Sequence, residues 1–213
     1  MGSGQPARAA RTRRRTAIQA RNEAKILEAA LDAFAARGHA GATVDQIAEA
    51  AGMSKPNLLY YFSGKDEIYA ALLHGLLEIW LEPLRALDPA GDPLAEIRAY
   101  LRRKLGMARD RPRESRLFAG EVLAGAPVIG PTLAGPLKAL VDEKAAVIAG
   151  WRDAGRIGPV DPHHLIFAIW AVTQHYADFD AQVRAVLGPA RADAFAEAGA
   201  SLEALLVDGL RPR

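Results

Sequence analysis

The sequence of 213 residues contains no cysteine, which excludes disulfide bonds and thiolate metal sites. That composition suits a reducing compartment, and we expect a cytoplasmic protein. No apolar run approaches the ~20 residues that a membrane span requires, and the N-terminus lacks the apolar segment of a secretion signal. Runs of alternating β-branched residues, which would predict strands, are also lacking. The expected fold class is therefore all-α, with no membrane partner.

Glycine and proline divide the chain into about nine predicted helices, and half of the residues are hydrophobic, enough for a sizeable core. Three regions follow from the motifs below: a flexible basic arm over residues 1–19, a helix-turn-helix domain over 20–64, and a helical ligand-binding and dimerisation domain over 65–213. The main helices are expected over residues 22–37, 65–87, 94–109, 116–124, 137–154, 161–179 and 191–210. The segment 125–136 is expected to be an irregular connector or a short, frayed helix.

The stretch TVDQIAEAAGMSKPNLLYYF, residues 43–62, predicts two short helices joined by a tight turn. Thr43 and Gln46 have the spacing of a capping box at the start of the first helix. Gly52 can supply the left-handed backbone that follows a helix C-terminus. Ser54 can cap the second helix, whose first turn tolerates Pro56. This spacing fits a helix-turn-helix, in which the second helix enters the DNA major groove; an ordinary helical hairpin is the alternative.

The second helix carries the side chains expected to contact DNA. Lys55, Asn57 and Tyr61 are predicted to point outward, with Tyr60 near the DNA backbone. An amide pairs with adenine, a cation with guanine or phosphate, and a phenol with phosphate. The protein is therefore expected to bind double-stranded DNA.

Charge is distributed unevenly along the chain. Residues 1–25 carry a formal charge of +6, so that the remainder sums to −4 within a total of +2. A basic arm beside a DNA-binding module is expected to follow phosphates or enter the minor groove, with Arg13, Arg14 and Arg15 as candidate contacts. A solvated tail without specific contacts is the alternative.

Together, the amphipathic helix 22–37, the segment GHAGATVDQIA and the segment AGMSKPNLLYYFSGKDEIY resemble the TetR family of bacterial transcription regulators, over residues 20–80. The resemblance implies an all-α TetR-like fold and a homodimer on a palindromic operator, acting mainly as a repressor. It places Thr43 and Lys65 at positions that contact phosphates from helix N-termini. The full set of candidate DNA contacts is Thr43, Ser54, Lys55, Asn57, Tyr60, Tyr61 and Lys65, with Arg13, Arg14 and Arg15 in the arm.

The segment DPHHLIFAIWAVTQHYADF, residues 161–179, is predicted to be a helix that is apolar on nearly all sides. Trp170, Thr173 and Gln174 share one face of it. A buried glutamine needs partners, because an unsatisfied amide costs ~1–3 kcal/mol. The partner is either a neighbouring helix or water, or a flat ligand with adjacent donors and acceptors that stacks on the indole.

Segments over residues 80–180, among them WLEPL and SRLFAGEVLAGAP, resemble a pyrimidine-responsive branch of the same family. This resemblance implies regulation of pyrimidine catabolism and release from DNA by uracil or thymine, with no cofactor. The candidate ligand contacts are Trp80, Phe118, Glu121, Trp170, Thr173 and Gln174. A regulator of drug efflux or of another catabolic operon, with a different effector, is the alternative.

Three further patterns leave choices open. Glu121 lies in an apolar segment, where an acid either faces a polar pocket or forms a salt bridge, for example with Arg116. Leucines between Leu202 and Leu210 form a stripe that is either a dimer interface or intrachain core. The residues His163, His164, His175 and Asp178 do not have the spacing of a metal site, and no phosphate loop or nucleophile elbow occurs. We therefore do not expect an enzyme.

Overall fold

The computed structural model describes residues 5–188 and 194–212, and for residues 5–16 only the backbone. Within these ranges the chain is helical and contains no strand. Its eleven α-helices are α1 Gln5–Gly41, α2 Val44–Ala50, α3 Lys55–Tyr61, α4 Lys65–Arg85, α5 Pro93–Asp110, α6 Pro112–Leu123, α7 Gly130–Thr132, α8 Lys138–Asp153, α9 Pro162–Asp178, α10 Asp180–Leu187 and α11 Ala194–Leu202. None of these helices is both long and apolar enough to cross a membrane.

The chain divides into two compact units, with the boundary between His74 and Gly75. The predicted boundary lies at residue 65, the start of α4. The first half of α4 nevertheless belongs to the first unit, because Ile68, Leu73 and Tyr69 are buried there. The Tyr69 ring packs edge-on against Phe34 of α1, with 5.0 Å between centroids.

The first unit has a small core formed by helices α1 to α3 and the first half of α4. Ile26, Ala30 and Phe34 of α1 are almost completely buried, as are Ile47 of α2 and Leu58 of α3. The amphipathic spacing of these residues directs one face of each helix inward. This arrangement leaves the opposite face of α3 in solvent.

The second unit is built around helices α5, α8 and α9 and the C-terminal segment. Its core contains Tyr100 and Leu101 of α5, Ile148 of α8 and Ile166 of α9. Leu202 and Leu210 belong to the same core, whereas Leu205 is 70% exposed. The leucine stripe near the C-terminus is therefore partly intrachain core, and only its outward members are free to meet another molecule.

The structure differs from the predicted helices in five places. Helix α6 begins at Pro112, four residues before its predicted start, and α10 lies where no helix was predicted. The other three differences concern the N-terminal arm, the connector and the last helix. Backbone helix begins at Gln5, within the segment expected to be a flexible arm; alanine and arginine are strong helix formers, and the arm was assigned from its charge alone. The expected connector 125–136 contains α7 and a π-helical segment, Leu133–Leu137, that continues into α8. The last expected helix, 191–210, consists of α11 followed by π-helical Glu203–Val207 and a 3-10 turn, Asp208–Leu210, with residues 191–193 outside the described ranges.

Candidate DNA-binding surface and ligand cavity

The turn between α2 and α3 has the predicted hydrogen bonds. The Gln46 backbone N–H donates to Thr43 Oγ1 over 3.3 Å, and the Thr43 backbone N–H donates to Gln46 Oε1 over 3.1 Å, which completes the capping box. Gly52 has φ +67°, and the Met53 N–H donates a hydrogen bond to the Ala48 carbonyl over 3.0 Å. This pairing stops α2 and redirects the chain into α3.

The start of α3 is fixed by Ser54, whose hydroxyl accepts from the Asn57 backbone N–H over 3.4 Å. Lys55, Asn57 and Tyr60 are exposed, and Tyr60 is 69% accessible. The Asn57 side-chain amide makes no hydrogen bond to any residue that the structure describes. An exposed helix with a free amide at its N-terminal end has the form of a major-groove recognition helix.

One of the two tyrosines of α3, Tyr61, differs from its predicted outward orientation. Tyr61 is half-buried, and its hydroxyl accepts from Asn22 Nδ2 of α1 over 2.7 Å. Tyr60 is the outward ring, packed edge-on against Tyr61 at 5.2 Å between centroids. Tyr61 is the last residue of α3. It follows the buried Leu58 by three residues and so lies on the same side of the helix, where its hydroxyl helps to hold α3 to α1.

One of the expected phosphate contacts, Lys55, has a partner within the chain. Lys55 Nζ lies 3.0 Å from Asp45 Oδ2 of α2, and both side chains are accessible to solvent. Such an exposed pair is worth only ~0–1 kcal/mol, so exchange of Asp45 for a phosphate is inexpensive. Lys65 begins α4 and is half-exposed. Glu67, two residues further, accepts from the hydroxyl and the backbone N–H of Ser63, which lowers the pKa of Glu67.

The side chains of Arg13, Arg14 and Arg15 lie outside the described residues, because only the backbone is described there. The proposed arm contacts therefore stay predictions.

The second unit encloses a cavity of about 640 Å³. Four helices supply most of its wall, and Leu133 and Leu137 of the π-helical segment complete it. Four of the six predicted ligand contacts line it, namely Trp80 of α4, Phe118 of α6, and Trp170 and Gln174 of α9. The rim is apolar, with Val122, Leu123 and Phe179 exposed.

Trp170 and Gln174 lie one turn apart on the cavity side of α9. The Trp170 indole Nε1 donates to the Tyr100 hydroxyl over 2.6 Å, which fixes the ring against α5. Burial raises the pKa of Tyr100, so this hydroxyl stays protonated. The Gln174 amide makes no hydrogen bond to any described residue. Within those residues, the structural alternative for Gln174, pairing with a neighbouring helix, is not realised.

The cavity is also lined by three charged residues that were not predicted to contact a ligand, namely Lys104, Arg116 and Asp178. Asp178 Oδ1 accepts from Ser115 Oγ over 2.5 Å, and Arg116 donates to the Ala177 carbonyl over 3.1 Å. Lys104 Nζ lies 5.8 Å from the centroid of the Trp80 ring, in a cation–π contact. The cavity is thus apolar at its rim and charged where α5, α6 and α9 meet.

Desolvation dominates the electrostatics of this charged group. Burial lowers the pKa of Lys104 to about 7, although the charge of Asp178 opposes this shift. Burial raises the pKa of Asp178, against the Ser115 hydrogen bond and the charges of Arg116, His175 and Lys104. The removal of water therefore outweighs the mutual attraction of the two side chains.

Glu121 and Thr173, two predicted ligand contacts, are not among the residues that line the cavity. Glu121 is 3% exposed, and its Oε1 accepts from the backbone N–H groups of Val128 and Ile129 at 2.6 and 3.2 Å. The acid therefore accepts hydrogen bonds from the connector backbone before α7. Thr173 is fully buried, and its hydroxyl donates to the Ile169 carbonyl over 2.7 Å within its own helix.

A sequence signal for Lys104 does exist. The apolar face of α5 runs through Ile97, Tyr100, Leu101 and Leu105 at helical spacing, and Lys104 occupies a position on that same face. A lysine within an apolar stripe is either extended to solvent or faces an internal polar site. Arg116 and Asp178 carry no comparable signal, because their position depends on how α6 packs against α9.

A capped helix-turn-helix with an exposed second helix defines a DNA-binding transcription regulator. Residues 26–72 match the family model described as bacterial regulatory proteins, tetR family, and residues 73–213 match the C-terminal region of YcdC-like proteins. The chain is 50% identical over 203 residues to the HTH-type transcriptional regulator RutR of Escherichia coli K12, a match that covers 94% of this chain and 95% of that protein. The chain belongs to the TetR family of transcriptional regulators, and it is not an enzyme.

Solved structures share the fold over nearly the whole chain. A transcriptional regulator from Streptomyces coelicolor, SCO4942, has a TM-score of 0.66 and 27% identity, covering 89% of this chain and 98% of that one. The ketosteroid transcriptional regulator KstR2 of Mycobacterium tuberculosis has a TM-score of 0.70 and 20% identity, covering 90% of this chain and 95% of that one. The second likeness supports the fold alone.

Proposed function

We propose that this chain is a regulator of pyrimidine catabolism, mainly a repressor, that uracil or thymine releases from operator DNA. Half of the aligned residues are identical to those of RutR, and the segments over 80–180 resemble a pyrimidine-responsive branch of the family. The observation that carries the proposal is the pairing of Trp170 with Gln174 on the cavity wall.

These two side chains fit the chemistry of a pyrimidine ring. The indole offers a flat face for stacking, a contact worth ~1–3 kcal/mol for a nucleic-acid base. The Gln174 carboxamide has an acceptor and a donor side by side, which match a ring N–H and the adjacent ring carbonyl. Because the amide makes no hydrogen bond to a described residue, no intrachain bond is lost when it meets the ligand.

We propose that α4 couples the ligand to DNA binding. The helix is continuous from Lys65 to Arg85 and supplies residues to both units, and Leu77, Trp80 and Leu81 line the cavity. A ligand that favours a different position of Trp80 shifts this helix and weakens DNA binding by linkage, typically by ~1–3 kcal/mol.

The operator partner is proposed to be a palindrome bound by a homodimer, in the cytoplasm. One recognition helix reads one half-site, and two-fold symmetry places two such helices about 34–36 Å apart, in successive major grooves. Exposed apolar side chains on the second unit, such as Phe167 at 47% and Leu205 at 70%, offer surface for that association.

The test measures ligand affinity and DNA release with matched variants. Uracil and thymine should bind the wild-type protein and release it from operator DNA selected from a random library. Gln174→Leu keeps the side-chain size but removes both hydrogen-bonding groups, so uracil affinity should fall by about 5–150-fold for the loss of ~1–3 kcal/mol. Gln182→Leu, an exposed glutamine on α10, is the control and should bind uracil normally.

Calorimetric titration and melting curves on the same preparations separate the outcomes. Wild-type uracil affinity in Gln174→Leu, with a lower melting temperature, would assign Gln174 to the fold and not to the ligand. If uracil and thymine leave the wild-type melting temperature unchanged at millimolar concentration while another class of compound raises it, the pyrimidine effector is wrong.

A further inference from the structure

Lys104 is a buried amine without a hydrogen-bond acceptor in the described part of the chain. Its side chain is 3% exposed and lines the cavity. No hydrogen bond or ion pair joins its ammonium to any described residue. The Nζ atom lies 5.8 Å from the centroid of the Trp80 ring, in a cation–π contact. An ammonium group carries three donors. A charged group in this position is costly unless something in the cavity accepts from it.

The neighbours of Lys104 hold it in place but do not neutralise it. Asp178 and His175 of α9 and Arg116 of α6 are the charged or titratable groups nearby, and Tyr100 lies one turn earlier on α5. Helix α4 contributes Leu77, Trp80 and Leu81 to the wall. The Asp178 carboxylate is already engaged by Ser115 Oγ at 2.5 Å. The amine is therefore directed towards the cavity, beside the face of α9 that carries Gln174.

We infer that Lys104 is a direct effector contact, donating a hydrogen bond from its ammonium to a carbonyl oxygen of the pyrimidine, while Gln174 pairs with the adjacent ring edge. This inference rests on the proposed pyrimidine effector. Charge-assisted hydrogen bonds are roughly twice as strong as neutral ones, so Lys104 selects ligands that place a carbonyl oxygen at this end of the cavity. The charge of Asp178 favours the protonated amine, but less strongly than burial disfavours it.

Binding is then linked to protonation. The pKa of Lys104 in the free protein is about 7, whereas a ligand that accepts from the ammonium favours the protonated form and raises this pKa. Affinity is therefore full below pH 7, where the amine is already charged. It falls above pH 7 by up to about tenfold per pH unit, because the proton must be taken up on binding.

The experiment titrates uracil into the full-length protein at pH 6, 7 and 8, where uracil stays neutral. We compare wild type with Lys104→Met, which has a similar length and no charge, and with Lys104→Gln, which keeps a donor that does not titrate. Lys144→Met is the control, since Lys144 is a buried lysine of the same unit that lies outside the cavity wall and donates to the Leu87 carbonyl. Melting temperatures are measured on every sample.

Wild type should bind with proton uptake and lose affinity between pH 7 and 8. Lys104→Met should bind at least about tenfold more weakly at pH 6, with an unchanged or higher melting temperature because a desolvated charge is removed. Lys104→Gln should recover part of the affinity without the pH dependence. A histidine, His175, also lies near Asp178, and a histidine ring can change charge in this pH range. The pH dependence of uracil affinity is therefore assigned to Lys104 only if it is lost in Lys104→Gln.

The failures are distinguishable. If wild type and Lys104→Met bind uracil equally and with the same pH profile, the contact by Lys104 is refuted, while the pyrimidine effector stands. If a pH profile like that of the wild type persists in Lys104→Gln, the proton is taken up elsewhere and the inference is overturned. If wild type binds neither uracil nor thymine, the proposed function and the contact fall together.

Discussion

The two units of this chain place their polar side chains in opposite surroundings. In the first unit, Lys55, Asn57 and Tyr60 stand in solvent on one face of α3. In the second, Lys104 and Asp178 lie in the wall of a cavity, with pKa values shifted by burial. An exposed polar group hardly lowers the stability of the fold, and several such groups together bind a polyanion through many weak contacts. A desolvated polar group lowers the stability of the fold but can bind one small ligand strongly.

This contrast predicts how substitutions in the two units should behave. Removing an exposed side chain of α3 should change DNA binding and leave the free energy of unfolding nearly unchanged. Removing a buried polar group of the second unit should change stability, ligand binding or both. If an exposed substitution on α3 lowered stability, or a buried one in the second unit changed neither stability nor ligand binding, burial would not determine the effect of a substitution.

The largest expected effect is at Glu121, which supports the connector before α7. Glu121→Ala leaves the buried N–H group of Ile129 and the half-buried N–H group of Val128 without this acceptor. At ~1–3 kcal/mol per unsatisfied group, the free energy of unfolding should fall by about 2–6 kcal/mol, and by less if water reaches Val128. The melting temperature of a chain this size should fall by about 2–4 °C for each kcal/mol.

Scanning calorimetry and uracil titration on the same sample provide the measurement for Glu121. Glu121→Gln is the matched control, because its amide oxygen still accepts, and it should lose less stability. Uracil affinity, measured well below the melting temperature, should stay close to that of the wild type in both variants. A strong loss of affinity in Glu121→Ala with unchanged stability would place Glu121 in the ligand site after all.

The next effect concerns discrimination between DNA sequences. Asn57 is exposed at the start of α3, and a bidentate contact from such an amide to adenine is worth ~1–3 kcal/mol. Asn57→Ala should therefore lower the preference for operator over random DNA by about 5–150-fold without a change in melting temperature. Lys55→Ala, the comparison variant, should weaken both complexes to a similar degree, since a phosphate contact carries no sequence information.

Binding titrations on operator and random duplexes at three salt concentrations measure both quantities. Equal losses on the two duplexes for Asn57→Ala would show that Asn57 contacts phosphate and reads no base. A selective loss for Lys55→Ala would instead move the base contact to Lys55.

The same contrast explains what could be predicted from the sequence. The capping box of Thr43 and Gln46, the turn at Gly52 and the cap at Ser54 act over five residues or fewer, so local spacing is sufficient to predict them. Trp170 and Gln174 are recognisable because an indole and an amide are unusual on an apolar helix.

The remaining features of the cavity depend on contacts between distant segments. Glu121 and Thr173 do not line it, because the direction of each side chain depends on how α6 and α9 pack. Lys104 is identifiable only once its place on the apolar face of α5 is compared with that of Tyr100 and Leu101. The helix from Gln5 reflects the helix propensity of alanine and arginine. The seven basic residues among the first 25 indicate a charged segment but do not by themselves distinguish a helix from a flexible arm.

The smallest expected effect tests whether local spacing has an energetic counterpart in the first unit. Thr43→Ala removes the side chain that accepts from the Gln46 backbone N–H, and loss of an N-cap costs about 1 kcal/mol. Thr43→Ser keeps the hydroxyl and should retain nearly all of that stability. Because α2 supports α3, operator affinity should fall modestly in the alanine variant and recover in the serine variant. Denaturant unfolding and operator titration measure the two effects, and an affinity lost equally in both variants would mean that the Thr43 methyl group, and not its cap, matters for DNA.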